Sequence, residues 1–448
     1  MVADEQYVFK ASSKKNLTIL FVAGLVLFVI GVFMAMNAGD GHGGGHASAE
    51  VTKTLVASTE PAAVAEGGGE EHHGSPLWLK RVYTSLWHNN IFFTGLGIIG
   101  LFFVAIQYAA QAGWSAPIKR VPLAIGHWIP IAGVLTLVIW LVANGDLFHW
   151  THHDLYDKTS VDTYDKILDA KSSYFFWLSE PGGFPTFYIL RMVVFFSVWY
   201  WFFTVIKKKM LAEDIEGGTS NWYGARKWAA IFLVFFGYSS SVAAWDWVMS
   251  IDPHWFSTMF GWYVFASWWV AGLAMITLVV AHLKYEGYLK MVNANHLHDL
   301  GKFVFAFSIF WTYIWFSQFM LIYYANIPEE TVYFLQRIKN APYSWIFYTN
   351  LILNFVLPFL LLMTRDAKRH MSMLKVVCPI VILGHWLDFY NMITPGVMQY
   401  NGSLGLLEIG LALIFLAGFL YVSLNALSKV PLVAKNHPMM AESLNHHI

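Results

Sequence analysis

A single cysteine, Cys378, is the only thiol in 448 residues. That excludes a disulfide framework, a thiolate-ligated iron–sulfur cluster and a Cys-x-x-Cys-His haem attachment within the chain. Any such centre must lie in a partner. Charge is scarce as well. Asp, Glu, Lys and Arg make up 12% of the residues, against about 25% in a soluble domain. The 28 basic and 28 acidic side chains cancel, so nothing in the composition attracts nucleic acid.

What replaces charge is apolar length. Hydrophobic residues form 57% of the chain and aromatics 18%. About ten runs are long enough, and poor enough in charge, to cross a bilayer as helices. They are Leu17–Met36, Asn90–Gln111, Pro122–Ala143, Phe184–Ile206, Gly224–Met249, Ser257–Leu283, Gly301–Asn326, Tyr343–Thr364, Ser372–Thr394 and Ser403–Leu427. The first follows Lys14 and Lys15 and is too long for a signal-peptide core, so it is expected to stay as an anchor. Of the Lys and Arg residues, 19 fall in segments on the N-terminal side of the membrane and 8 in segments on the other side. The positive-inside rule then places both termini in the cytoplasm. The expected fold is all-α, multi-pass and integral to a membrane.

Two segments on the outer side are long. Residues 37–89 contain "GDGHGGGHASAE" and "EGGGEEHHG" and read as a flexible linker. Its His42, His46, His72 and His73 could take up metal adventitiously, but solvation explains them. Asn144–Gly183 carries Asp146, Asp154, Asp157, Asp162, Asp165 and Asp169. It is expected to lie on the surface with some short helix and to offer a docking face to a partner.

"DWVMSIDP" from Asp246 and "DFYNMITP" from Asp388 place an Asp, an aromatic, an Ile and a Pro alike, 142 residues apart. Two copies of a four-span unit, over 90–256 and 257–400, would produce that offset, with the first helix before them and the last helix and tail, 401–448, after. Membrane proteins built from repeats often place their sites at the repeat interface.

A charge at mid-bilayer costs roughly 2.5–3.5 kcal/mol on insertion scales, so the few charged residues within spans are functional candidates. Arg191 lies inside the fourth span. Asp246 and Asp252 end the fifth, His385 and Asp388 lie in the ninth, and Glu408 begins the tenth. His127 and His282 lie nearer the cytoplasm. His385 and Asp388 share a helix face at their spacing of three. Arg191 is the expected counter-ion of one of the carboxylates. Such residues, with water, can form a proton relay. The bland readings are that Asp252 and Glu408 sit in interfacial water, that Asp252 caps the next helix, and that His127 only packs. His127 and His282 are the only pair at matching depth for a haem, which is not expected here. Trp and Tyr at span ends fit an aromatic belt, and equally the walls of a quinone pocket.

Four stretches carry a resemblance: "FPTFYILRMVVFFSVWYWF" (184–202), "DWVMSIDPHWFSTMFGWY" (246–263), "HDLGKFVFAFSIFWTYIWFSQFMLIYYANIPEET" (298–331) and "GHWLDFYNMITP" (384–395). From about residue 76 onward the chain resembles the NrfD/PsrC-like membrane subunits of bacterial alternative complex III, a quinol:cytochrome c oxidoreductase. The resemblance implies two repeat-related four-helix bundles with one flanking helix at each end, in a bacterial inner membrane. It implies an ActC-like paralogous subunit, periplasmic iron–sulfur and cytochrome c subunits carrying the metal centres, membrane lipids, and a terminal oxidase as a further candidate partner. In that family the quinol site is best assigned to the ActC-like subunit. Carried over, Arg191, Asp246, Asp252, His385 and Asp388, with His127 and Glu408, become elements of a proton path. Three functions therefore stand: a subunit without redox centres that conducts protons, a quinol-binding subunit of the same complex, and a repeat-built secondary transporter.

Overall fold

The computed structural model describes residues 5–39 and 75–447. Most of the linker, with His42, His46, His72 and His73, lies outside the described residues. Ten helices are long and apolar enough to cross a membrane, and among the described residues there is no strand beyond one isolated bridge, Gln6 to Pro431. The chain is an all-α, multi-pass membrane protein.

The helices are α1 (Ala11–Gly39), α2 (Leu77–Ala109), α3 (Arg120–Leu147), α4 (Lys166–Phe176), α5 (Thr186–Glu216), α6 (Ser220–Trp247), α7 (Phe260–Tyr285), α8 (Ala294–Ala325), α9 (Pro328–Lys339), α10 (Ala341–Leu361), α11 (Met371–Met398) and α12 (Leu406–Leu427). All but α4 and α9 are of spanning length. The packing follows one plan twice. In the first half α2 touches α3 and α6, and α5 closes the ring; in the second α7 touches α8 and α11, and α10 closes it. The rings meet through α2, α6, α7 and α11. The bridge between Gln6 and Pro431 joins the N-terminal segment to the C-terminal tail, so both termini lie at one end, here the termini end. The other is the far end. The short helices α4 and α9 connect spans within each half and cover that far end. The long loop thus contains the short helix its sequence led us to expect, begun by Asp165, whose carboxylate accepts from Ile167 and Leu168 N–H at 2.8 and 3.0 Å.

The flanking helices α1 and α12 pack on each other by glycine. A Cβ on Gly31 would lie 2.3 Å from the Leu407 backbone nitrogen, so only glycine permits this approach. In lipid, close backbone packing of this kind drives helix association. Gly31→Val is expected to separate the pair at about 1–3 kcal/mol. It should lower the thermal midpoint in detergent, whereas Gly237→Val, with open space around Gly237, should not.

Two helix shapes differ from the sequence expectation. Helix α2 starts at Leu77, not Asn90, and takes the end of the expected linker into the fold. Hydropathy misplaces this start because Arg81, Trp87, His88, Asn89 and Asn90 look interfacial. In fact these side chains find protein partners: Arg81 binds Glu408, Trp87 Nε1 donates to Trp247 O, and Asn90 donates to Thr136. Helix α10 contains a π turn at Ile352–Val356. Pro358 has no N–H for the Asn354 carbonyl and its ring crowds that oxygen, so the regular ladder opens there.

Candidate functional site

Asp246 stands next to the last residue of α6 and is 1% exposed. Arg191, in the second turn of the neighbouring α5, forks onto it: Nε reaches Oδ2 and Nη2 reaches Oδ1, both at 2.8 Å. The guanidinium also donates to Tyr174 O of α4 and lies over the Tyr174 and Phe187 rings at 4.4 and 4.5 Å. Tyr188 and Ser250 hydroxyls hold the Asp246 carbonyl. A bidentate pair with this many outer contacts is fixed in place. Arg191 is therefore the partner of Asp246, one of the two carboxylates that its depth left open.

The matching carboxylate of the second repeat has a different chemistry. Asp388 is fully buried in α11, about 15 Å along the helix from Met398. Its Oδ1 accepts from the Tyr263 hydroxyl of α7 and from Asn350 Nδ2 of α10 at 2.7 Å, and its Oδ2 from Trp311 Nε1 of α8 at 2.9 Å. His385 Nδ1 stands 3.9 Å from Oδ2 and 2.9 Å from Ser267 Oγ, with its Nε2 unpartnered. Asn350 Oδ1 in turn accepts from Asn354 Nδ2, in the π turn, at 3.0 Å. The result is one connected polar chain, Asn354–Asn350–Asp388–Tyr263, with His385 and Ser267 beside it. All its donors are neutral. Where Asp246 is matched by a fixed charge, Asp388 has an ionisable hydroxyl, Tyr263, on Oδ1 and His385 3.9 Å from Oδ2.

Of the remaining candidates, Asp252, Glu408 and His127 each have a basic partner. Asp252 sits 3.3 Å from Arg337 Nη2 of α9, and not against Arg191. Arg337, 2% exposed, also donates to the carbonyls of Asn391, Met392 and Tyr333 at 2.8, 3.1 and 2.8 Å. The Asn391 carbonyl needs this donor because Pro395, four residues on, has no N–H. The two repeat prolines are held alike: Lys171 Nζ of α4 reaches Pro253 O at 2.5 Å, and Gln336 Nε2 of α9 reaches Pro395 O at 2.8 Å. Asp252 does not cap α7, which begins at Phe260. Glu408 is 2% exposed and accepts from Arg81 at 2.6 and 2.7 Å, so it does not sit in interfacial water. His127 Nδ1 faces the Leu123 and Ala124 carbonyls at 3.2 Å, and Nε2 meets Lys207 Nζ at 2.7 Å. Carbonyls only accept, so Nδ1 carries the ring proton and both nitrogens are engaged. His282 is exposed.

Sequence reasoning missed Arg337, Tyr263, Trp311, Asn350 and His88. His88, fully buried between the halves, donates through Nε2 to Trp386 O at 2.9 Å, leaving Nδ1 unpartnered. The run "WHNN" just before an apolar stretch was the available signal for it. Two clefts deserve naming. One of about 190 Å³ opens at the far end beside the Arg191–Asp246 pair, lined by Lys171, Tyr174, Phe175, Trp245, Trp255 and Phe256 among others. A larger one, about 500 Å³, lies at the termini end between Trp114, Asp299, Lys302, Phe303, Phe307 and His446, remote from these carboxylates. At the far end, burial pushes the Asp165 carboxyl up, but His254 and the Leu168 and Ile167 N–H groups outweigh it and hold it below the usual range. Among the described residues no three His, Cys, Asp or Glu side chains are grouped to hold a metal ion. Comparison with protein-family models and with curated proteins returns no match.

Proposed function

We propose that this chain is the ActF-type membrane subunit of a bacterial alternative complex III, a quinol:cytochrome c oxidoreductase, and that Asp388 and His385 of its second bundle carry protons linked to quinol oxidation. The observation that carries the proton role is the contrast between the two repeat carboxylates. Asp246, Asp252 and Glu408 each face an arginine; Asp388 is held by Tyr263, Trp311 and Asn350 and has a histidine beside it. A group that takes and gives a proton needs donors and acceptors that can rearrange, not a fixed counter-charge. The doubled four-helix plan with two flanking helices is the arrangement the sequence resemblance implies. With one thiol, Cys378, in the sequence, this reading gives the iron–sulfur and c-type haem centres to periplasmic partner subunits. Arg81 and Arg337, basic residues of the far end, are neutralised by Glu408 and Asp252. The cytoplasmic position of both termini in the inner membrane rests on the excess of Lys and Arg in the segments of the termini end.

A second reading has its own observation. The aromatic cleft beside Arg191 and Asp246 offers stacking walls and a lysine to a quinol headgroup. A photoreactive quinone that labels Trp245 or Trp255 supports it; labelling confined to an ActC-like partner rejects it. The transporter reading gains the π turn at mid-span in α10, since broken helices often line transport sites. The test of membership in the complex is gentle purification through a tag on this chain. Co-purification of c-type haem, an iron–sulfur protein and an ActC-like subunit, with quinol oxidation, is expected. A colourless chain without redox partners would refute it.

A further inference from the structure

A second buried polar cluster closes the first bundle at the termini end. Lys119 and Arg120 open α3, Tyr108 ends α2, and Glu213 and Asp214 lie in the last turn of α5. Lys119, Arg120, Tyr108 and Glu213 are each 1% exposed. The C-terminal tail covers them. Asp214 pairs with Arg120, accepts from Lys435 N–H at 3.1 Å, and through its carbonyl accepts from Asn436 at 2.9 Å. His437, also buried, places Nε2 2.9 Å from Lys119 Nζ. The same Nζ lies 4.1 Å from the Tyr108 ring centre, and the Tyr108 hydroxyl donates to Glu213 Oε2 at 3.1 Å. Glu213 Oε1 has no hydrogen-bond partner.

The His437 ring fixes the protonation of the lysine. Its Nδ1 accepts from Met439 N–H at 3.2 Å, so the neutral ring carries its proton on Nε2. An Nε2–H facing Nζ requires Nζ to accept, and only a neutral amine has the lone pair. An ammonium would have to donate to a bare Nε2. That moves the ring proton to Nδ1, where it meets the Met439 N–H. Burial acts in the same direction. It pushes Lys119 down to about 7, with Glu213 opposing and Arg120 assisting. It pushes His437 down to about 3, helped by Lys119 and Arg120.

We propose that Lys119 is a proton-binding site at the termini end of the first bundle, and that its neutral amine latches the C-terminal tail through His437. Binding one proton at Nζ converts the amine to an ammonium and sets the Lys119–His437 contact against the Met439–His437 bond, so the tail loosens. The groups acting on Nζ are Tyr108 from α2, Arg120 from α3, Glu213 from α5, and His437 and Glu442 from the tail. Glu213, whose charge favours the ammonium form, keeps an unpartnered oxygen in the same buried cluster. The site deepens the proton-carrying reading by adding a station at the termini end of the first bundle, apart from Asp388 within the span of the second. It rests on that reading for its use, not for its chemistry.

The sign follows from linkage. With the tail docked Lys119 titrates at about 7, and releasing the tail hydrates it and moves its titration up toward the ordinary 10.5. Between those values the released state holds the extra proton, so docking strengthens as pH rises, by up to about tenfold per pH unit. Below about 7 both states are protonated, and docking is weakest and flat. The experiment is hydrogen exchange at residues 435–442 of the full chain in nanodiscs, corrected for intrinsic rates, from pH 7.5 to 9. The last tail residues are pinned separately by His446 on Asp299, so they are left out of the readout. Protection should rise by up to about tenfold per unit in the parent chain. It should be flat in Lys119→Met, and low throughout in Lys119→Arg, which stays charged. A pH-independent parent, or an unchanged slope in Lys119→Met, would overturn the latch. Because no quinol is involved, an intact latch in a chain that moves no protons would sink only the functional reading above.

Discussion

Arg191→Met is expected to destabilise the protein by about 3–5 kcal/mol, the cost of leaving a buried carboxylate without its charge partner. Asp246 would keep the Tyr188 and Ser250 contacts at its carbonyl but lose both charge-assisted bonds to its carboxylate. The Arg191 contacts to Tyr174 O and to the Tyr174 and Phe187 rings would go too, so α4 should loosen from the far end. Adding Asp246→Asn to Arg191→Met should recover much of the loss, because the penalty lies in the orphaned charge and not in the missing arginine. Thermal midpoints of the two single variants and the double variant in detergent check this as a cycle. Additive losses would mean that the pair is not coupled, against the geometry.

Arg337→Met should have an effect of similar size for another reason. Its guanidinium serves three main-chain carbonyls besides Asp252, and lies 3.3 Å from the Tyr333 ring centre. Each buried carbonyl left without a donor costs about 1–3 kcal/mol. The Asn391 carbonyl cannot turn to its own helix, because Pro395 occupies the donor position. Asp252, with 27% of its side chain exposed, can regain water. The loss should therefore persist in Arg337→Met with Asp252→Asn, unlike the Arg191 case. If removing Asp252 rescues Arg337→Met, the ion pair and not the carbonyl support is what stabilises this end of α11.

These two arginines also mark what the sequence makes legible. Arg191 stands alone in an apolar run and two carboxylates, Asp246 and Asp252, end the next, so a pair can be inferred but not which aspartate makes it. Arg337 sits in "YFLQRIK", between spans, where a basic residue ordinarily faces water. Its burial depends on α9 folding back over a proline-containing helix 54 residues away, which no local pattern reports. The repeat prolines Pro253 and Pro395 were visible, but their shared carbonyl support from α4 and α9 was not. His385 and Asp388 were paired by helical spacing. Tyr263, Trp311 and Asn350 come from three other helices, and a chain with 18% aromatics does not say which tyrosine or tryptophan matters. The ten spans were read correctly because length and hydropathy alone determine them. The start of α2 was not, because buried hydrogen bonds hide the polarity of His88, Asn89 and Asn90.

The contrast between the repeat carboxylates is tested most directly by proton release. The complex purified through this chain would be placed in liposomes, driven with quinol and cytochrome c, and followed for protons released per electron. The comparison is between the parent and Asp388→Asn, whose amide keeps the shape but cannot carry a proton. The account predicts that electron transfer continues while the proton yield per electron falls. An unchanged proton yield in Asp388→Asn, whose one amide oxygen can still accept from Tyr263 and Asn350 but whose NH2 cannot accept from Trp311, would contradict it and leave the second bundle a scaffold.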